Sequence, residues 1–244
     1  MSSNSKRVGL VTGANKGIGL QIARQLAQAG VTVILGARDA ERGKAAVADL
    51  AARGLDVKFV HLDLDDEASI AGAAAAISKE HGRLDILVNN AGVLAPGDGV
   101  PSRASLQAVR RMFETNFVGA LAVTQAMLPL LRKSRASRIV NLSSALGSLA
   151  MNGDPSSPYY SAQLIGYNAS KAALNMLTVQ LSEELRGTPH VVNSVSPGYV
   201  KTDLTGGNGF LTPEQGAESP VRYALLGDDA VSGRHASRDG EIPW

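Results

Sequence analysis

Cysteine is absent from the chain, which excludes disulfides, thiol nucleophiles and thiolate metal sites and permits a reducing compartment. No block of one charge is present either: 24 basic residues face 22 acidic ones, for a formal net charge of +2. A sequence pI of about 8.9 is mild, so nothing marks a nucleic-acid surface. No apolar run approaches the roughly 20 residues that span a bilayer, and no membrane association is expected. The four histidines, His61, His81, His190 and His235, lack metal-ligand spacing. All four read as surface or core-edge residues, and no metal is expected. Residues 1–6 are polar, read as a disordered tail, and lead into a strand-like run rather than a signal-peptide core. The expected location is the cytoplasm.

What is present is a large apolar reserve. With 44% hydrophobic and 19% charged residues over 244 positions, the chain can bury one sizeable core. Residues 7–244 are read as a single domain. Val8, Leu10 and Val11 form an apolar run that stops at Thr12-Gly13-Ala14-Asn15-Lys16-Gly17-Ile18-Gly19. Ile18, Ile22, Leu26 and Ala29 then recur at helical spacing until Gly30, and Val31-Thr32-Val33-Ile34-Leu35 supplies a second strand. In a strand, glycine turn, helix unit, glycines let backbone approach a pyrophosphate, and the free amides at the helix start attract it.

The alternation continues. Residues 40–52 and 67–80 read as helices, and residues 57–62 and 84–88 as strands. After a Pro/Gly-rich loop at 95–101, one long helix is expected over 105–132, with Pro129 placed to kink it. Residues 138–142 and 191–195 read as strands, with a helix from Tyr167 between them. Thr212-Pro213-Glu214-Gln215 carries a capping-box start for a helix to residue 226. A last short strand is expected near 231–237. Continuous apolar strands between amphipathic helices predict an α/β fold, a parallel sheet of about seven strands covered on both faces.

Tyr167 and Lys171 lie four apart, so a helix sets them on one face. A free phenol titrates near about 10, and a nearby cation lowers that value, which would suit it to acid–base work. Taken alone, the same pair equally describes a ring at the core edge and a solvated charge.

The order of motifs separates these readings. The turn at 12–19, Asn89-Asn90-Ala91-Gly92 after the fourth strand, Asn116, Ser143-Ser144 after the fifth, Tyr167 with Lys171, and Pro197-Gly198 after the sixth together resemble the short-chain dehydrogenase/reductase family over residues 7–240. That resemblance implies a doubly wound Rossmann sheet with a dinucleotide across the carboxyl ends of its strands. It implies that Tyr167 protonates a carbonyl oxygen and that Lys171 lowers its pKa and holds the nicotinamide ribose. Ser144, rather than Ser143, would bind the substrate oxygen, and Asn116 would hold the helix geometry and a relay water. Cofactor contacts implied in the same way are Gly13, Asn15, Lys16, Gly17, Ile18 and Gly19; Arg38; Asp63 and Leu64; Asn90, Ala91 and Gly92; and Pro197, Gly198, Val200 and Thr202, besides Tyr167 and Lys171.

Charge argues the cofactor type. The second strand ends Gly36-Ala37-Arg38-Asp39, with Ala37 where an NAD-selective acid would align. Arg38 and Lys16 together favour a 2′-phosphate, hence NADP(H). The competing reading gives Asp39 to the ribose.

Ser144 and Tyr167 are 23 positions apart, longer than is usual in the family, because of a turn-rich insert at about 150–162. Such inserts resemble those of the monomeric carbonyl reductase subgroup, which makes a monomer the expected state and a homodimer the next. Tyr159, Tyr160, Tyr199 and Phe210 fall in that insert or near the substrate loop at about 202–212 and hint at a bulky apolar substrate. The expected activity is NADPH-dependent reduction of a ketone or aldehyde, a small-molecule carbonyl substrate. The alternatives are an NADP-dependent alcohol dehydrogenase working oxidatively and a dinucleotide-binding regulator without turnover.

Overall fold

A strand that is apolar at every position has to be covered on both faces, and five strands of this chain are buried along their whole length before the last short one. The computed structural model describes residues 6–244. In order, the elements are β1 (Val8–Thr12), α1 (Gly17–Gln28), β2 (Thr32–Ala37), α2 (Ala40–Ala52), β3 (Val57–His61), α3 (Glu67–His81), β4 (Ile86–Asn89) and α4 (Leu106–Phe113). They continue through a π-helical segment (Glu114–Val118) into α5 (Gly119–Leu131), β5 (Arg138–Leu142), α6 (Leu149–Gly153), α7 (Ile165–Glu184), β6 (Val191–Val195), α8 (Pro213–Ala224) and β7 (His235–Ala236). The seven strands form one sheet in the order β3-β2-β1-β4-β5-β6-β7, with every pair parallel. The chain builds outward from β1 to β3 and then returns to lay β4 on the other side of β1. This is the doubly wound Rossmann arrangement, whose order reverses between β1 and β4 and leaves a crevice there at the carboxyl edge.

Register sorts the core into two layers. Ile34, Leu10, Leu87, Ile139 and Val192 stand side by side across five strands and pack with Ile77, Met127, Leu131, Leu177 and Leu181 of α3, α5 and α7. One position further on, Leu35, Val11, Val88 and Val140 are in register and point the opposite way, onto Ile22, Leu26, Leu50 and Val221 of α1, α2 and α8. A third row is polar. Asn89, Asn141 and Ser194 align across β4, β5 and β6. Asn89 donates to Asn141 and to Thr124 of α5, Asn141 donates to Thr178 of α7, and Thr178 shares a hydrogen bond with Ser194, all at 2.8–2.9 Å. This buried ladder fixes both helices to the sheet just below its carboxyl edge.

The amino edge carries its own buried charges. Asp85 accepts from the Val8 amide and the Ser134 hydroxyl at 2.8 and 2.6 Å and pairs with Arg83. Arg138 donates to the carbonyls of Ser137, Pro189, Leu226 and Gly227. Both are hydrogen-bonded structural groups at the end of the sheet away from the crevice.

Several expectations need correction. The helix foreseen over 105–132 is not continuous: it passes into a π segment at Glu114–Val118, where the Gly119 amide reaches back to the Glu114 carbonyl. The last helix ends at Ala224, and the last strand shrinks to two residues. The loop after Thr202 is held by a 3₁₀ turn at Asp203–Thr205 and by hydrogen bonds from Phe210 and Leu211 back to Tyr199. His235 is no core-edge residue; it is 2% exposed on β7. The expected disordered tail lies outside the described residues except for Lys6, which pairs with Asp56. Among the described residues no helix is long and apolar enough to cross a membrane.

Side chains cap most long helices: Asp39 caps α2, Asp66 α3, Ser105 α4, and Thr212 with Gln215 closes a full capping box on α8. Replacing Leu87, which is fully buried, by alanine is expected to lower unfolding stability by about 2–5 kcal/mol. Thr212→Ala should cost only about 1 kcal/mol. Urea unfolding followed by circular dichroism ranks the two, and a larger loss for Thr212→Ala contradicts this account of the core.

Candidate active site

The turn after β1 and the turn after β4 are sewn together at the crevice. The Thr12 hydroxyl accepts from the amides of Asn90 and Ala91, both at 3.0 Å. In return the Asn90 side chain donates to the carbonyls of Thr12 and Gly13 at 2.8 and 3.2 Å. Contacts this close exclude side chains. A Cβ on Gly13, whose φ is +62°, would stand 2.9 Å from Ala91 Cα, and one on Gly19 would stand 2.4 Å from the Asn90 amide nitrogen. Gly17 also has positive φ and lies against the Thr202 methyl, so the 202–212 loop borders the same turn.

Helix α1 starts in this cradle with no side-chain cap and no acidic residue in its first turn. Its leading amides and positive dipole end, flanked by Asn15, Lys16 and Ile18, are therefore suited to an anion such as a pyrophosphate. Gly198, again at positive φ, and Val200, buried against Gly216, carry the chain from Pro197 to Thr202, which meets Gly17 of the cradle.

Cations gather at the open end of this cradle. Lys16 pairs with Asp203 at 2.6 Å; Arg38 lies 3.7 Å from Asp65, which Arg111 also holds at 2.6 Å. The Asp203 carboxyl is held below the usual range by the Lys16 hydrogen bond and charge, with Arg42 contributing. Arg42 thus belongs to the same neighbourhood. Asp39 is already engaged, accepting from the Arg42 amide at 3.0 Å and pairing with its guanidinium at 3.2 Å. Asp63 receives the Asp65 amide at 3.2 Å, and Leu64 packs on Gly119, which keeps the turn after β3 at the same edge.

Residues from four elements meet beside the cradle. Tyr167 is the third residue of α7. One turn on, Lys171 is buried at 4% exposure, donates to the Leu142 carbonyl at 2.8 Å, and lies 5.7 Å from the centre of the Tyr167 ring. A Cβ on Gly92 would be 3.3 Å from Asn116 Oδ1 and 3.4 Å from Lys171 Nζ, so these three converge. Asn116 exchanges two hydrogen bonds with the Val93 backbone and donates to Ser170, whose hydroxyl donates to the Tyr167 carbonyl. The π segment carries Asn116 to this junction. Ser143 turns into the core and donates to Asn175 at 2.6 Å. The Ser144 hydroxyl accepts from the Leu146 amide at 3.1 Å and interacts with the Tyr167 phenol.

The electrostatics differ from expectation. Burial pushes the Tyr167 phenol up to about 12, with the Ser144 hydrogen bond opposing it. Burial also pushes the Lys171 ammonium down to about 8. A phenol lowered by Lys171 is therefore not what the protein alone presents: desolvation dominates, opposed only by the Ser144 hydrogen bond, while the Lys171 ammonium lies over the ring. The phenol stays protonated at neutral pH. Behind Ser144, His235 stacks on Trp244 with ring centres 5.4 Å apart. Its nitrogens face the carbonyls of Pro243 and Ser144 without good hydrogen-bond geometry, and burial lowers its pKa to about 4. It is a neutral wall. Among the described residues no group of three or more histidine, aspartate or glutamate side chains could hold a metal ion.

Two residues at this site escaped the sequence reading. Arg42 follows Asp39 by three positions, so its place in the first turn of α2 was a usable signal. Asp98 accepts from the amides of Gly166 and Tyr167. A lone aspartate between two glycines, 68 residues from its partner, gives no local sign of that.

Comparison with known proteins agrees with this geometry. A family model described as short chain dehydrogenase matches residues 7–209. Short-chain dehydrogenase/reductase 1 of Saponaria officinalis is 34% identical, over 98% of this chain and 96% of that protein. Carbonyl reductase (NADPH) 1 of Mus musculus is 34% identical, over 99% of this chain and 100% of its own. The crystal structure of NADPH-bound carbonyl reductase from chicken fatty liver superimposes with a TM-score of 0.84 at 29% identity, over 98% of this chain and 99% of that one.

The two displaced pKa values have opposite linkage signs. Lys171 falls from 10.5 to about 8 on folding, so its desolvation penalty is fully present below pH 8 and is relieved as pH rises towards 10.5. Tyr167 rises from 10.0 to about 12, so its contribution is lost only above pH 10. Between pH 8 and 10 the wild type should therefore gain stability relative to Lys171→Met. Urea midpoints over that range test this, and a gap that does not change with pH contradicts the depressed ammonium.

Proposed function

Because this chain belongs to the short-chain dehydrogenase family and is carbonyl reductase-like in sequence, we propose that it is an NADPH-dependent oxidoreductase that reduces a ketone or aldehyde, with Tyr167 as the proton donor. Residues 7–244 act as one catalytic domain. The observation that carries this reading is the convergence of the Tyr167 phenol, the Ser144 hydroxyl and the Lys171 ammonium beside a glycine cradle at the carboxyl edge of the sheet.

The residues present suit the cofactor. Gly13, Gly17 and Gly19 leave room for a pyrophosphate at the uncapped start of α1, and Lys16, Arg38 and Arg42 offer cations to a 2′-phosphate. Asn90, Ala91 and Gly92 form the adjoining wall, with Pro197, Gly198, Val200 and Thr202 facing them. Asp63 and Leu64 lie towards the adenine end. Bound in this groove, the dihydronicotinamide supplies the hydride.

The chain's own groups handle the oxygen. The Ser144 hydroxyl hydrogen-bonds the carbonyl oxygen and favours the charge that develops on it. Tyr167, protonated at neutral pH because burial holds its pKa at about 12, transfers its proton to that oxygen as the carbon accepts hydride. An alkoxide is the stronger base, so the transfer runs downhill. Lys171, cationic below about pH 8, stabilises the phenolate left behind until solvent reprotonates it. Asn116 holds Val93 and Ser170, and so keeps the wall and α7 in register.

Tyr167→Phe is expected to lower kcat by about 10²–10⁴-fold while retaining NADPH binding, measured by NADPH absorbance and fluorescence with a panel of aldehydes, cyclic ketones and quinones. Full activity in that variant removes the proposed acid, and tight dinucleotide binding with no turnover on any substrate favours a regulator. A second experiment addresses the cations. Turnover should be faster with NADPH than with NADH, and Arg38→Ala or Lys16→Ala should weaken NADPH binding by about tenfold, a loss of roughly 1.4 kcal/mol, with little change for NADH. An equal loss for both dinucleotides contradicts phosphate recognition.

A further inference from the structure

Tyr167 lies in the first turn of α7, the part of a helix whose amides lack partners within the helix and which frays most readily. Local sequence gives its first amides no side-chain cap, because the residue at the cap position is Leu164, whose side chain has no acceptor. The chain supplies the acceptors from elsewhere. The Gly99 carbonyl takes the Ile165 amide at 3.0 Å. The two carboxylate oxygens of Asp98 take the next two amides, Oδ1 from Gly166 and Oδ2 from Tyr167, both at 2.9 Å. A negative charge at this end is also favoured by the helix dipole.

The surroundings fix this bridge in place. The Asp98 loop is itself pinned, with the Ser105 amide donating to the Gly97 carbonyl and the Gly99 amide to Asp98 Oδ1. Gly166 admits the loop: a Cβ there would fall 2.4 Å from the end of Met112 and 3.1 Å from Asp98 Oδ1. The same connection from β4 to α4 carries Val93, which Asn116 holds. One segment thus binds α7 at its tip through Asp98 and, through Asn116, at Ser170.

We propose that Asp98 is a positioning residue for Tyr167, its carboxylate capping α7 at a distance in sequence and so fixing the direction of the phenol. This rests on the reading of Tyr167 as the proton donor. The carboxylate does not touch the reacting atoms. It acts through the backbone of the residue that does.

The test uses Asp98→Asn, which keeps one acceptor oxygen, and Asp98→Ala, which keeps none, in the full chain, with Tyr167→Phe alongside. Hydrogen exchange at the amides of Gly166 and Tyr167 reads the cap directly and does not depend on turnover. Exchange should rise at least tenfold in Asp98→Ala and less in Asp98→Asn. In the same order kcat should fall by up to about 10²-fold, the cost of a misplaced group, with the NADPH dissociation constant within about twofold of wild type. In a Tyr167→Phe background Asp98→Asn should produce no further loss, since coupled residues are non-additive.

Unchanged exchange overturns the cap. Faster exchange with unchanged kcat overturns the positioning role. Parallel loss of NADPH binding shows a general structural role and overturns it as well. Should Tyr167→Phe stay fully active, the acid assignment fails, whatever the Asp98 variants do to exchange.

Discussion

Parallel pairing is the constraint on which the rest of the molecule depends. When every neighbouring strand runs the same way, each connection must cross back over a face of the sheet, and all strands finish at one edge. Thr12, Asn89, Leu142 and Val195 therefore end side by side, and the loops that follow them have nowhere to go but the crevice beside β1 and β4. The opposite edge receives the hydrogen-bonded buried charges, Asp85 and Arg138. Between the two edges lies the ladder from Asn89 through Asn141 and Thr178 to Ser194. Each of its bonds adds about 1 kcal/mol net, yet removing one partner strands another in the interior, so its value lies in fixing α5 and α7 rather than in bulk stability.

Helix α7 is where packing and chemistry compete most directly. The sheet needs its inner face apolar, and Leu174, Leu177 and Leu181 meet that need. One turn earlier the same face presents Lys171, buried and bonded to a strand carbonyl. The fold accepts a desolvated ammonium there because the rest of the helix is so well anchored. The tension explains why both titratable groups move in the direction of their neutral forms. It also separates the protein's intrinsic electrostatics from the view that a lysine beside a tyrosine must lower it: distance along the helix brings the two together, and solvent exclusion decides what they feel.

Much of this was legible in the sequence. The short, mainly apolar runs of β1 and β4, and those of β5 and β6 broken only by a few polar residues, read as strands covered on both faces, and Thr212 with Gln215 announced a capping box that the structure contains. The positions of Gly13 and Gly17 follow from the turn they must make, and that of Gly19 from the close approach of Asn90. What sequence could not show depended on distance or environment. The expected helix over 105–132 is interrupted because Asn116 must meet Val93 and Ser170, contacts invisible to periodicity. His235 looked like a core-edge residue because a two-residue strand leaves no pattern from which burial can be inferred. The Tyr167 pKa moved against expectation because spacing reports neighbours but not the loss of water around them.

The π segment at Glu114–Val118 also bears on how this chain can change length. Successive residues of an ordinary helix are rotated by about 100°, so a widened turn acts as a phase shifter, letting α4 and α5 each show its own face to the core while Asn116 points between them. Deleting one residue here would not simply shorten a connection. It would swing Val123, Met127 and Leu131 away from the sheet or carry Asn116 off its partners, whereas the insert before α7 can grow or shrink without altering any rotational setting. Variation in length is therefore admissible on one side of the groove and forbidden on the other.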